Sequence, residues 1–373
     1  MKNIGIITWI GGGNYGTSLQ AFALYQFLSE KGYKCTIVNA FNPDHFSIKP
    51  RIRCLLDIFG IQGIRERIRI NKLSDSRKYI KLRKFIKDNF KQEFITSTSK
   101  YRRLLNKTDV FCVGSDQVWN AYYNFNPFNF LNFAQNNKRI SYASSMGTND
   151  FPEQYKDSIK DLLLKFDHIS LREETGKQAV EKLTARNDIK TVLDPTFLLS
   201  SDKWKEIAKQ AVIEMKLPQK FILCYFIGNN SNYVKQVKDL SEKLGINNIL
   251  IIPLVENPIF YIEGATLYRY ASIAEFVYLL NQATWICTDS FHATVLSISM
   301  EKNFSEFLRF KDADKDSQNS RIYDILDTFG LQNRLYSSNN YEWAQPINFT
   351  QSRSILQNLR EDSMDWLINS IEH

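Results

Sequence analysis

The pentapeptide Thr288-Asp289-Ser290-Phe291-His292 follows the apolar run Thr284 to Cys287 and opens a stretch of helical pattern. It brings a carboxylate, a hydroxyl and an imidazole to one strand-to-helix junction. In open α/β sheets, ligands bind beyond the carboxyl ends of the strands, where such junctions lie. A helix start there offers unpaired N–H groups and partial positive charge to an anion. An imidazole in the same place can give or take a proton near neutrality. The chain has only four histidines, which makes His292 the candidate acid/base and Ser290 a candidate anion contact. The competing reading is a half-buried histidine that merely caps the turn.

Two further clusters also follow apolar runs. Gly114-Ser115-Asp116-Gln117-Val118-Trp119-Asn120 combines a carboxylate, an amide and an indole. An indole face packs on a pyranose while Asp116 and Gln117 bond its hydroxyls; against this, Asp116 could cap a helix and Trp119 could be core. Ser170-Leu171-Arg172 places an arginine fork where it could grip a phosphate or carboxylate. Its alternative is a structural pair with Glu173, Glu174 or Asp194. Arg309 and Arg321 are the other cationic candidates. Near the start, Gly11-Gly12-Gly13-Asn14-Tyr15-Gly16 fits the glycine pattern of a dinucleotide loop. A nicotinamide site would need an acidic residue at the end of the second strand, and the first acid there is Asp44. The loop instead suits close approach of some other ligand to the backbone of Asn14, Tyr15 and Gly16.

Short β-rich runs alternate with helical patterns throughout. Ile4 to Trp9, Lys34 to Asn39, Asp109 to Val113, Arg139 to Ala143, His168 to Leu171 and Thr191 to Leu193 read as strands. The first helix is read over Thr17 to Lys31. After Leu217-Pro218-Gln219 a second alternation begins with Phe221 to Ile227, Ile249 to Pro253, Thr284 to Cys287 and Phe304 to Phe310. Strands separated by helices at this spacing indicate parallel βαβ units. The predicted fold is α/β, with two Rossmann-like doubly wound domains facing a cleft. The first spans 1–215 with a basic helical insertion at about 49–107, the second 216–350, and a C-terminal helix 351–373.

The 373 residues carry a net charge of +8, and 18 Lys/Arg face 5 Asp/Glu between Lys49 and Lys107. That stretch predicts amphipathic helices with a basic face, suited to anionic lipid or a phosphorylated acceptor. No nucleic-acid-binding motif accompanies it. The five scattered cysteines form no CxxC pair and read as buried thiols in a reducing compartment. No Cys/His set suggests a metal, and no run has the length of a membrane span. These features predict a cytoplasmic protein.

In order along the chain, several blocks resemble the polysaccharide pyruvyl transferase family. They are Asn14-Tyr15-Gly16-Thr17-Ser18-Leu19-Gln20-Ala21, Gly114-Ser115-Asp116-Gln117-Val118-Trp119, Ser141 to Gly147, Ser170-Leu171-Arg172-Glu173, Leu193-Asp194-Pro195-Thr196, Thr288 to His292 and Asn319-Ser320-Arg321. The resemblance implies a glycosyltransferase-B-like fold. It also implies transfer of a pyruvyl group from phosphoenolpyruvate, as co-substrate and without a cofactor, onto a sugar of a surface polysaccharide or its lipid-linked precursor. The acceptor side would be the first domain (Asn14, Tyr15, Gly16, Gln117, Trp119) and the donor side the second. His292 would be the acid/base, aided by Asp116, with Arg172, Ser290, Arg309 and Arg321 on the donor. Some relatives carry arginine where this chain has Ser290, and many have glycine where it has Ala293. A nucleotide-sugar glycosyltransferase and a non-catalytic glycan- or lipid-binding protein remain as alternatives. Peripheral contact with an anionic membrane through 49–107 is the associated expectation.

Overall fold

The computed structural model describes residues 1–11, 13–40, 77–254, 260–311 and 317–373. The first domain is built on β1 (Asn3–Ile7), β2 (Lys34–Ala40), β3 (Gln92–Ile95), β4 (Val110–Val113), β5 (Lys138–Ser144), β6 (His168–Leu171) and β7 (Lys190–Thr191), in the order β3-β2-β1-β4-β5-β6-β7. The second holds β8 (Ile222–Tyr225), β9 (Ile249–Ile251), β10 (Thr266–Leu267), β11 (Trp285–Thr288) and β12 (Phe304–Glu306), in the order β10-β9-β8-β11-β12. All the pairings are parallel. Both β4 and β11 are buried along their whole length, as strands covered by helices on two faces must be. The strand order reverses between β1 and β4 and again between β8 and β11, which creates a crevice at each of these places.

The basic stretch departs from its expectation. Its 49–76 portion lies outside the described residues. The remainder is not simply helical, because β3 joins the sheet between helices at Arg77–Asn89 and Thr98–Lys107. The pattern conceals this edge strand, since only Ile95 of Gln92–Ile95 is buried. Nor is the basic face wholly free. Lys78 is buried, donates to the Leu254 carbonyl at 2.7 Å and sits 4.5 Å above the ring of Tyr15. Lys81 pairs with Glu275 of the second domain at 2.9 Å. The two-residue strands β7 and β10 are also shorter or less visible than the sequence suggests. Cys35, Cys112, Cys224 and Cys287 are buried free thiols, and Cys54 lies outside the described residues. Among the described residues no helix is long and apolar enough to cross a membrane.

Four helices set the cleft. Asn14 caps α1 (Tyr15–Glu30) by accepting the Gly16 N–H at 2.9 Å, so the helix starts two residues before Thr17. In the second domain, Ser272 and Glu275 form a capping box on α2 (Ile273–Gln282). The helix α3 (Phe291–Ser299) follows β11, and α4 (Ser320–Phe329) enters after Asn319. One continuous apolar core joins the two sheets. The final helix, Thr350–Glu372, returns to the first domain, where the Leu193 N–H reaches Ser363 at 3.0 Å and Tyr33 donates to Glu372 at 2.7 Å.

Tyr15 is a keystone of the domain contact. Its hydroxyl donates to the Ala271 carbonyl at 3.1 Å, and its ring stacks on Phe276 with centroids 4.5 Å apart. Tyr15→Ala leaves a cavity there and is expected to cost about 3–5 kcal/mol, whereas Tyr15→Phe loses one hydrogen bond, about 1 kcal/mol. Urea denaturation of the two variants checks both values; an unchanged midpoint for Tyr15→Ala would remove the residue from the interface.

Candidate active site

The carboxyl ends of the two sheets face each other, and the side chains that converge there come from both. From the first domain, Arg172 emerges directly after β6 and is buried. Its Nε meets Glu173 Oε1 at 2.9 Å, its Nη1 meets Asp194 Oδ2 at 2.9 Å, and its Nη2 lies 3.6 Å from Asp116 Oδ1. The ring of Phe291, from the second domain, lies 4.3 Å from its guanidinium carbon. Burial disfavours the charge, but the three carboxylates outweigh it and hold Arg172 protonated.

Asp116 follows β4 with a left-handed backbone, φ 62°, a conformation that aspartate tolerates better than most side chains. Burial alone would raise its pKa. His292, Arg172 and Arg321, together with the hydroxyl of Thr17 donating at 3.0 Å, reverse that and keep it below the ordinary carboxylate range. Asp194 is held in the same way. It accepts from Arg172, from the Thr196 N–H at 3.0 Å and from the Thr196 hydroxyl at 2.6 Å.

From the second domain, Asp289 anchors the loop after β8. It accepts the Ile227 and Gly228 N–H groups at 2.6 and 2.7 Å and the Tyr233 hydroxyl at 2.9 Å. Its Oδ2 also lies 3.4 Å from Arg309 Nε, and its carbonyl accepts from Arg309 Nη2 at 3.1 Å. His292, in the first turn of α3, is 5% exposed, and its Nε2 stands 3.7 Å from Asp194 Oδ2. Burial lowers its pKa below 6.5; Asp194 and Asp116 pull it up, while Arg172 and Arg321 push it down. The imidazole is therefore neutral at neutral pH. The ring fits only because residue 16 is glycine: a Cβ there would lie 2.3 Å from His292 Nδ1.

Arg321, in the first turn of α4, is the contrast to Arg172. It is buried and has no ion pair among the described residues. Burial, then Arg309 and Arg172, lower its pKa to about 9. Arg321 Nε, Arg309 Nε, Arg172 Nη2, Ser290 Oγ and His292 Nε2 are all buried without a hydrogen-bond partner. Buried polar atoms are rarely left so, because each costs about 1–3 kcal/mol. Arg321 interacts electrostatically with Arg309 and Arg172, and His292 with Arg172 and Arg321, so four of the five belong to one coupled group. The fifth, Ser290, stands at the N-cap position of the helix that carries His292, with a hydroxyl that makes no capping bond. A group of unsatisfied donors at a helix start suits an anion. A cavity of about 350 Å³ borders the group, lined in part by Arg172, Asp194, Phe291, Arg321 and Asp324. His292 does not line it; Asp194 touches both.

Not all the sequence candidates reach the cleft. Trp119 is core: its indole donates to the Asn129 carbonyl at 2.9 Å and stacks on Phe130. Tyr15 is buried in the domain contact, with no face for a ligand. Asn14 serves as the cap of α1 and lies 3.5 Å from the Tyr225 hydroxyl. Gln117 bridges the domains, donating to Gln318 Oε1 at 2.8 Å. Of the structural pairings expected for Arg172, those with Glu173 and Asp194 are present. The structure gives Asp289 the role of fixing Arg309, and adds Thr17 as a partner of Asp116.

Two solved structures share the overall fold. A glycosyltransferase from Rickettsia africae ESF-5 is 12% identical, with a TM-score of 0.50 and coverage of 99% of this chain and 94% of its own. Arabidopsis thaliana UGT89C1, complexed with UDP-L-rhamnose, is 11% identical, with a TM-score of 0.51 and coverage of 99% and 98%. These likenesses show a glycosyltransferase-B-like fold and no more. No curated protein matches the chain. The family model for polysaccharide pyruvyl transferase matches residues 14–305, which contain most of the converging side chains, and the chain belongs to that family.

Proposed function

We propose that the protein transfers the pyruvyl group of phosphoenolpyruvate to a pair of hydroxyls on a sugar of a surface polysaccharide or its lipid-linked precursor. The observation that carries this reading is the group of buried, unpartnered donors shared by Arg321, Arg309, Arg172, Ser290 and His292. Phosphoenolpyruvate presents a phosphate and a carboxylate, and so asks for cationic donors on two sides. Arg321 and Arg309, beside the N-terminus of α3, suit one anionic group; the Nη2 of Arg172, which faces Asp116 without a hydrogen bond, suits the other.

Bound anions raise the pKa of a neighbouring imidazole, so His292 takes up a proton as the donor enters. It delivers that proton to the methylene C3, and C2 becomes electrophilic. One sugar hydroxyl adds to C2 and gives up its proton. The C2–O bond to phosphate then breaks, inorganic phosphate departs, and a second hydroxyl closes the ketal with loss of its own proton. Asp116, held below the ordinary carboxylate range, is too weak a base to drive deprotonation. It holds and aims the acceptor hydroxyl, and neutral His292 is the base once its proton has gone to C3.

Incubation with 13C-labelled phosphoenolpyruvate and candidate glycosides, followed by NMR, tests the reaction directly. A ketal carbon with stoichiometric phosphate is expected; turnover of nucleotide sugars instead would overturn the proposal. His292→Gln is expected to slow ketal formation by about 10²–10⁴-fold. Because the protonated imidazole is the active form, wild-type kcat/KM for phosphoenolpyruvate should fall as pH rises through a pKa below 6.5, and the variant should lose that limb. Wild-type rates rising with pH across the same range would assign His292 the opposite role.

Arg321 gives a second, independent prediction. Its folded-state pKa is depressed, so the fold carries the cost of its charge, and removing that charge stabilises. Arg321→Met should melt several degrees higher while binding phosphoenolpyruvate at least about tenfold more weakly, as expected for a lost charge-assisted pair. Calorimetry and a thermal melt on one sample check both signs. Lower stability with unchanged binding would make the arginine structural.

A further inference from the structure

With Tyr15 and Trp119 both buried, the cleft described so far has no aromatic surface for a sugar. One stands beside it. Trp9 lies two residues past the end of β1, and Tyr123 lies on the short helix Ala121–Asn124 that follows the Asp116 loop after β4. Their rings meet edge to face with centroids 6.2 Å apart. Trp9 is half-buried, Tyr123 is 81% exposed, and its neighbour Tyr122 is 56% exposed. Among the described residues no other two large hydrophobic side chains adjacent in sequence are so exposed. The position is the crevice between β1 and β4, where the strand order of the first sheet reverses.

Hydrogen bonds tie this pair rigidly to the site. Gln20 donates to the Trp9 carbonyl at 3.1 Å and accepts the Ser115 N–H at 3.0 Å, next to Asp116. Asn120 accepts the Tyr123 N–H at 3.1 Å and donates to Gln117 at 2.8 Å. The composition of the loop narrows the occupant. Residues 117–137 contain no Lys, Arg, Asp or Glu but seven Asn and two Gln, and Asn124 is exposed beside Tyr123. Uncharged amides next to exposed rings suit a ligand with hydroxyls around an apolar C–H face. They do not suit an anionic lipid surface, which calls for lysine and arginine.

We propose that Trp9 and Tyr123 form a stacking platform for a pyranose ring of the acceptor glycan, with Asn124 reading its hydroxyls. The proposal rests on the reading that the acceptor is a sugar. It places the acceptor at the open side of the first domain and leaves Asp116 between it and the donor cations. Stacking on a C–H face tolerates changes of hydroxyl configuration, so the platform holds the glycan without selecting a single sugar.

Saturation-transfer NMR with methyl β-D-galactopyranoside and methyl α-D-mannopyranoside tests it on the full chain. In the wild type, transfer to the ring C–H protons of one face is expected for at least one glycoside. Tyr123→Ala should reduce it roughly 2- to 10-fold. Tyr123→Phe should restore it, and Tyr341→Ala, an exposed tyrosine of the second domain, should leave it unchanged. Phosphoenolpyruvate binding by calorimetry should be equal in all four proteins. No transfer to either glycoside, equal transfer in Tyr123→Ala, or Tyr123-dependent sedimentation with phosphatidylserine vesicles would each overturn the platform. Transfer that depends on Tyr123 in a protein that binds no phosphoenolpyruvate would instead sink the donor reading and leave the platform standing.

Discussion

The buried guanidinium of Arg172 among Asp116, Glu173 and Asp194 is the interaction on which the cleft depends. Each of these charges alone would be expensive in a site this dry. Together the guanidinium and the carboxylates around it offset part of that cost, and removing one partner from such a group typically costs about 3–5 kcal/mol. The cluster fixes the ends of β4 and β6 and the turn after β7 against one another. It also gives Phe291 a cation to cover, so the second domain closes directly onto it. Asp194 is the link between this cluster and the chemistry, because it bonds Arg172 on one side and faces His292 on the other.

Two close approaches let the halves meet at this depth. Gly16 admits the imidazole of His292 against the start of α1, and Gly228 leaves room for Arg309 beside Asp289. A Cβ at residue 228 would lie 2.4 Å from Arg309 Cγ. Gly16 lies in the first turn of the helix that follows β1, and Gly228 in the loop that follows β8. In each half, a glycine after a central strand makes room for a side chain from across or beside the cleft. The aromatic contact of Tyr15, Tyr225 and Phe276 then holds the domains at that distance.

Much of the architecture was legible because parallel strands buried on both faces must be short apolar runs, and helices between them must alternate with a 3.6 period. Strand ends then pointed to Asp116, Arg172 and His292, which the structure brings together. The misses share a cause. Trp119 and Tyr15 were read as ligand surfaces because an aromatic side chain has the same sequence signature in a core as on a platform. Trp9 and Tyr123 carried no better signal, and only the half-burial of Trp9 and the exposure of Tyr123 separate them. The edge strand β3 was hidden by its charged neighbours, whereas the pairing of Arg172 with Glu173 and Asp194 was among the readings the sequence offered.

Arg172 and Arg321 show what the sequence could not rank. Arg172 follows β6 and Arg321 lies in the first turn of α4; both are buried, and either could grip a donor. What separates them is pairing. Arg172 commits its Nε and Nη1 to carboxylates, whereas Arg321 is held beside Arg309 and Arg172 with its Nε unbonded. A fold tolerates an arginine of the second kind only if its cost is recovered elsewhere, and an anionic ligand is the natural place. The same reasoning applies to Ser290, whose hydroxyl is buried without capping its own helix. Beside this small side chain, the positive charges of Arg321 and Arg309 come from neighbouring elements.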